Sequence, residues 1–205
     1  MPAVDVLAAG VGRALLARAA RLAVAESCTG GLVGARITGV PGSSRYLLGG
    51  VVAYHNTAKA ALLQVPRGML RRCGAVSAPV AAAMARGARR AFGAEVAVAV
   101  TGVAGPGGGT AGKPVGLVYV AVSGFGRTRC RPARFAGDRQ RVRAQAADLA
   151  LIMLLEHLEE APLPALIPAG PPAPGAVFPA GSNCSILAAT DLPELVRRGR
   201  GRKKG

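Results

Sequence analysis

The 205-residue sequence contains no Trp, three Tyr, four Phe, two His and only four Lys. Each scarcity excludes something. So few aromatic rings leave no stacking platform of the kind that single-strand nucleic-acid binders use. The two His, and the widely separated Cys28, Cys73, Cys130 and Cys184 with no C-x-x-C among them, offer neither zinc-ligand spacing nor a disulfide framework. No run approaches the roughly 18 apolar residues of a membrane span. The opening MPAVDVLAAGVGRALL carries an early acid and no basic region ahead of an apolar one, so it does not read as a secretory signal. The expectation is a cytoplasmic chain with no membrane partner.

What the sequence has in quantity is Ala, Val, Gly and Arg: 51% hydrophobic residues, 29 Gly, 15 Pro, and 26 Lys plus Arg against 10 Asp plus Glu, a formal charge of +16. Such a charge invites a nucleic-acid reading. Its distribution argues against one. Residues 161–205 hold six bases and two acids, and residues 1–160 hold 20 and 8, so the excess is spread as +4 and +12 with one cluster at the basic end RRGRGRKKG.

Helical spacing of Val4, Leu7, Ala8, Val11 and Leu15 predicts a helix over 4–19, followed by a short strand over 21–25. A helix over 32–38, a buried strand over 47–53, a short helix over 57–63 and an Ala-rich helix over 78–92, N-capped by Ser77 and ended by Gly93, come next. Val96 to Val100 reads as a central strand, 115–122 and 129–135 as a hairpin, and 138–158 as a long closing helix capped by Asp138. Alternating helices and strands predict an α/β fold, three layers α/β/α around a mixed, mostly parallel sheet. Beyond residue 160 the Pro, Ala and Gly-rich composition has no periodicity, so one domain over 1–160 and a disordered tail over 161–205 are expected.

Loops at the carboxyl ends of parallel strands line the ligand crevice of such folds. The first candidate, Glu26-Ser27-Cys28-Thr29-Gly30-Gly31, sets hydroxyls between a strand end and a helix start, where close backbone N–H groups can hold a phosphate or an oxyanion. Ser27 is a candidate nucleophile; Ser27 or Thr29 could equally be a plain helix cap. The second loop holds Tyr54, His55, Asn56 and Lys59. A Lys acts as a base only where its pKa is lowered by burial or by neighbouring positive charge, and a solvated surface Lys is the ordinary alternative. His55 has no acidic partner nearby and reads as solvent-facing. The third loop runs from Thr101 to Pro114. It matches the letters of a phosphate loop and of a dinucleotide fingerprint, but Pro114 and the following strand give it the wrong context for either. At 137–143, Arg139 and Arg143 share a helix face and suit phosphate or carboxylate.

Taken in order, AESCTGG (25–31), VPGSS (40–44), GGVVAYHNTAK (49–59), GAVS (74–77), AVTGVAGPGGG (99–109), KPVG (113–116) and GDRQRVR (137–143) resemble the carboxy-terminal domain of the competence and damage-inducible protein CinA over about residues 4–158. The resemblance does not extend to the large amino-terminal domain of full-length CinA, so activities of that domain are not expected of this chain. The same domain occurs alone as a nicotinamide-nucleotide amidase. The resemblance therefore implies hydrolysis of the carboxamide of nicotinamide mononucleotide to nicotinate mononucleotide and ammonia, without metal or cofactor, in a homodimer. It implies Ser27 as nucleophile and Tyr54 and Lys59 as proton-transfer partners, their division of labour left open. Substrate contacts fall to Thr29, Gly30, Gly31, Asn56, Thr101, Gly102, Gly105, Arg139 and Arg143, with an oxyanion held near Thr29 to Gly31 or Gly102. Two other readings stay open: an accessory protein of DNA uptake without this activity, and an amidase for another small amide.

Overall fold

The structure, a computed structural model, describes residues 5–161; the tail expected over 161–205 thus lies, but for its first residue, outside the described residues. In chain order the elements are α1 (Val6–Ala17), β1 (Leu22–Glu26), α2 (Leu32–Thr38), β2 (Leu47–Val52), α3 (Asn56–Leu63), α4 (Arg67–Cys73), α5 (Ala78–Phe92), β3 (Val96–Gly102), β4 (Leu117–Gly124), β5 (Arg127–Arg134) and α6 (Arg139–Glu159). The five strands form one sheet in the order β2-β1-β3-β4-β5. β2, β1 and β3 are parallel, and β4 runs against both β3 and β5. Four strands thus point one way.

Side-chain size, rather than polarity, alternates along the central strands. Val24, Val98, Val100, Val120 and Val122 join one core cluster with residues of α1, α2 and α6, while Ala23, Ala25, Ala97, Ala99 and Ala121 join a second with α5. The small residues let the α5 backbone come close to the sheet, and α5 meets them with Ala81, Ala85 and Ala88 around Met84. Helices cover both faces, giving the three layers expected from the alternation of elements.

Two expectations need correction. β2 is not a buried strand: it is an edge strand paired only with β1, and alternate residues are exposed, Val52 at 52%. An apolar run records only that a strand is apolar, not where in the sheet it sits. α4 went unpredicted because it is short, lies between Pro66 and Gly74, and buries only Leu70, too little to leave a helical period. Ser77 occupies the N-cap of α5, but its hydroxyl donates to the Gly74 carbonyl (2.9 Å) instead of accepting from the helix. Asp138 does cap α6, accepting from the Arg141 N–H at 2.8 Å. On the opposite edge from β2, arginines of β5 pair with one acid of α6 and with the acid that caps it: Arg131 with Glu156 (2.7 Å), Arg127 with Glu160 (3.1 Å), and Arg129 with Glu160. Among the described residues no helix is long and apolar enough to cross a membrane.

Candidate active site

Ser27 follows the last residue of β1 and is fastened to β3 by its N–H, which donates to the Val100 carbonyl at 2.9 Å. Lys59 lies in the first half of α3, a helix that begins where the chain turns back beyond β2. His55 caps that helix, its Nδ1 accepting from the Thr57 N–H at 3.3 Å, and is exposed to solvent as expected. The turn swings Lys59 inward. It is 1% exposed, and its Nζ lies 2.9 Å from Ser27 Oγ, 2.8 Å from the Ala53 carbonyl and 3.2 Å from the Tyr54 carbonyl.

No carboxylate pairs with Lys59 among the described residues. Burial without a counter-charge holds its pKa below the usual lysine value, only partly opposed by the nearby Cys28. The three contacts suit either charge state. As an ammonium ion Lys59 donates to all three; as an amine it gives two N–H bonds to the carbonyls and turns its lone pair toward the Ser27 hydroxyl. The second arrangement is that of a base in contact with a nucleophile. Ala53 connects the two sides: its N–H donates to the Glu26 carbonyl at 2.7 Å while its carbonyl accepts from Lys59.

Above the pair is a cavity of about 270 Å³, bordered by Ser27, Cys28, Tyr54, Asn56, Lys59, Thr101, Gly102, Gly105 and Arg139, with Ala75 and Val76. At its rim Arg139 donates to the Tyr54 hydroxyl (2.7 Å) and to the Gly105 carbonyl (2.9 Å). The Tyr54 hydroxyl makes no hydrogen bond to Ser27 or Lys59; this residue reaches the lysine through its carbonyl. Thr101 directs its hydroxyl to the Ala75 carbonyl (2.9 Å), drawing the segment before α5 against the end of β3.

The model of the CinA C-terminal domain family matches residues 4–158. The chain belongs to that family. It is similar to a CinA-like protein of Desulfotalea psychrophila, 49% identical over 154 residues, 75% of this chain and 37% of that one. It is also similar to a CinA-like protein of Geotalea uraniireducens, 53% identical over 137 residues, 67% of this chain and 33% of that one. The chain therefore spans about a third of the length of these curated relatives. Among solved structures it resembles the competence damage-inducible protein A of Klebsiella pneumoniae, with a TM-score of 0.73 and 40% identity over 75% of this chain and 96% of that one. The competence/damage inducible protein of Agrobacterium tumefaciens is similar too, with a TM-score of 0.71 and 38% identity over 78% of this chain and 100% of that one.

In this CinA-family domain four of the expected substrate contacts sit away from the cavity. Neither Ser27 nor Thr29 caps α2. The N-cap position is Gly31, at a left-handed φ of 98°, and the N–H groups of Gly31, Val33 and Gly34 all donate to the Glu26 carboxylate, at 3.0, 3.1 and 2.8 Å. Those N–H groups are therefore not available to an oxyanion or phosphate. Thr29 is fully buried, Gly30 faces outward beside the Arg143 guanidinium, and Gly31 borders a separate apolar pocket between α2 and β2. Arg143 donates from Nε (3.1 Å) and Nη2 (2.7 Å) to the Thr29 carbonyl, so the two arginines one helical turn apart face different tasks.

Glu26 is the residue that sequence reasoning missed. A capping carboxylate ordinarily lies two or three residues ahead of the N–H it accepts from; Glu26 reaches five to eight residues along the chain, beyond any spacing rule. Cys28 also lines the cavity, but burial pushes its thiol up to about 11, which keeps it protonated and makes it a poor nucleophile beside Ser27. His157 is buried beside Phe125 with Nε2 3.2 Å from the Gly124 carbonyl, and it does not border the cavity.

Proposed function

We propose that this domain hydrolyses the carboxamide of nicotinamide mononucleotide by Ser-Lys acyl transfer. The observation that carries the proposal is the buried Lys59 amine, without a carboxylate, 2.9 Å from Ser27 Oγ. Ser27 Oγ attacks the amide carbon as its proton passes to Lys59 Nζ. The carbonyl oxygen becomes an oxyanion. Cys28 follows the nucleophile and borders the cavity, and its main-chain N–H is the proposed donor to that charge. Collapse breaks the C–N bond, Lys59 returns its proton to the departing NH₂, and ammonia leaves an acyl-Ser27 ester. Lys59 then takes a proton from water, whose oxygen attacks the ester carbon, and gives that proton back to Ser27 Oγ as nicotinate mononucleotide is released. The position of Tyr54, bonded through its hydroxyl to Arg139, favours direct transfer between Ser27 and Lys59 over a relay through the phenol.

The test is ammonia release from nicotinamide mononucleotide, with nicotinamide and nicotinamide riboside as controls. Turnover of the mononucleotide above both controls is expected; turnover of the controls alone overturns the nucleotide assignment. Among the described residues Arg139 is the one arginine on the cavity, and it is the proposed partner of the phosphate. Arg139→Ala is expected to raise KM about tenfold, the worth of one charge-assisted hydrogen bond, with a smaller fall in kcat. An unchanged KM in steady-state assays removes Arg139 from substrate binding.

A further inference from the structure

The turn that carries Ser27 has little to hold it by its own means. Its internal bonds are Gly30 N–H to the Ser27 carbonyl at 3.1 Å and a long contact, 3.4 Å, from Leu32 N–H to the Thr29 carbonyl. Two of its five residues, Gly30 and Gly31, stand at positive φ, where a chain without side chains is freest to move. A nucleophile displaced by about 1 Å from its base can lose about 100-fold in rate. Something outside the turn must fix it.

We infer that Glu26 and Arg143 are positioning residues that clamp the Ser27–Gly31 turn from two sides, and that Arg143 serves the nucleophile rather than the substrate. This inference rests on the reading of Ser27 as the nucleophile. Glu26 is 2% exposed and has no cationic partner among the described residues; its carboxylate accepts three N–H bonds at the start of α2, Gly31 being the last residue of the turn. Several charge-assisted bonds, in line with the helix dipole, are what a buried carboxylate without a cation requires. Its main-chain carbonyl is held by Ala53, the residue whose own carbonyl binds Lys59. Arg143 comes from the opposite direction, off α6, and closes a two-pronged bond on the Thr29 carbonyl. With Ser27 N–H on Val100, the turn is then pinned from outside at Ser27 N–H, Thr29 C=O and Gly31 N–H. The clamp thus fixes the distance from Ser27 to Lys59.

The experiment compares wild type with Arg143→Ala, Arg143→Lys and Glu26→Gln, each first shown by circular dichroism to be folded at the assay temperature. Two readouts are taken: steady-state ammonia release, and hydrogen–deuterium exchange of peptides covering residues 27–35. For Arg143→Ala we expect kcat to fall about 10- to 100-fold, as for a lost charge-assisted bond, with KM within about twofold of wild type and part of the rate restored by free guanidinium. Arg143→Lys, with one prong in place of two, falls between. Exchange over 27–35 is expected to rise at least about tenfold in Arg143→Ala and Glu26→Gln, with the strands β3 and β4 unchanged. A raised KM with unaltered kcat makes Arg143 a substrate ligand and overturns the inference; so does unaltered exchange over 27–35. Should wild type release no ammonia from nicotinamide mononucleotide, the amidase proposal falls, and the exchange data still decide whether Glu26 and Arg143 hold the turn.

Discussion

Lys59→Met is expected to fold and to lose ammonia release by about 10³-fold or more, the scale seen when one member of a nucleophile–base unit is removed. Methionine fills the volume of the lysine stem in the pocket between β1 and α3 but has no lone pair able to take the Ser27 proton. Lys59→Arg keeps the positive charge and the donors, and fails equally, because a guanidinium does not deprotonate in a protein. The wild-type pH profile gives the complementary test. Because the reacting form is the neutral amine, kcat/KM rises with pH and levels off once Lys59 has lost its proton; burial sets the midpoint below the ordinary lysine value of about 10.4. A midpoint at or above that value shows that some other group limits the rate. The same ionisation enters stability. Between the lowered folded pKa and about 10.4 the unfolded chain binds more protons than the folded one, so stability rises with pH across that window. Below it the cost of the buried charge is constant. Melting temperatures of wild type and Lys59→Met should converge as pH rises through the window, and parallel curves contradict a lowered pKa.

Gly87→Ala is expected to damage the fold and the site together. Gly87 is buried on α5, and a Cβ there would stand 2.0 Å from the Leu63 carbonyl oxygen and 2.9 Å from its carbon. These are backbone atoms at the end of α3, not the tip of a flexible side chain. Alanine recovers about 1 kcal/mol of helix propensity, but overpacking in a filled core costs about 1–3 kcal/mol and occasionally more, and here α3 must move bodily. Lys59 lies one turn before Leu63 on the same helix, so kcat should fall as well as the denaturation midpoint. Gly112→Ala serves as control. Its Cβ meets nothing within 4 Å and its φ is not positive, so thermal stability should be unchanged.

The alternation of helices and strands was readable because most elements bury a periodic face; α2 and α5 have the limits that Leu32 to Thr38 and Ala78 to Phe92 suggested. The order of strands was not, since Leu47 to Val52 is as apolar at the edge of the sheet as Val96 to Val100 is at its centre. For the site, strand ends were the useful signal. Ser27, Tyr54, Asn56, Lys59, Thr101, Gly102, Gly105 and Arg139 come from three strand-end loops and one helix start, and all border one cavity. What spacing could not supply was the traffic of single hydrogen bonds. The glycines at 30 and 31 look like an anion cradle until the Gly31 N–H is found on Glu26, from the end of the preceding strand, and the Gly30 N–H on the Ser27 carbonyl. Arg139 and Arg143 look like a pair until one is found on Tyr54 and the other on Thr29.

The row of arginines on β5 has an effect on encounters between molecules. A sheet edge presents unpaired N–H and C=O groups that another strand can zip onto, and charge or proline along the edge discourages it. β5 has both, with Arg127, Arg129, Arg131 and Arg134 along one strand and Pro132 contributing no N–H. Even where Arg127, Arg129 and Arg131 pair with Glu156 and Glu160, these charges would have to be stripped of water before a foreign strand could dock. β2 has no such guard: Leu47 to Val52 carries no charge, and Leu48 and Val52 are exposed. One border of the sheet is therefore fenced against aggregation, and the liability to strand-on-strand contact is concentrated on the other.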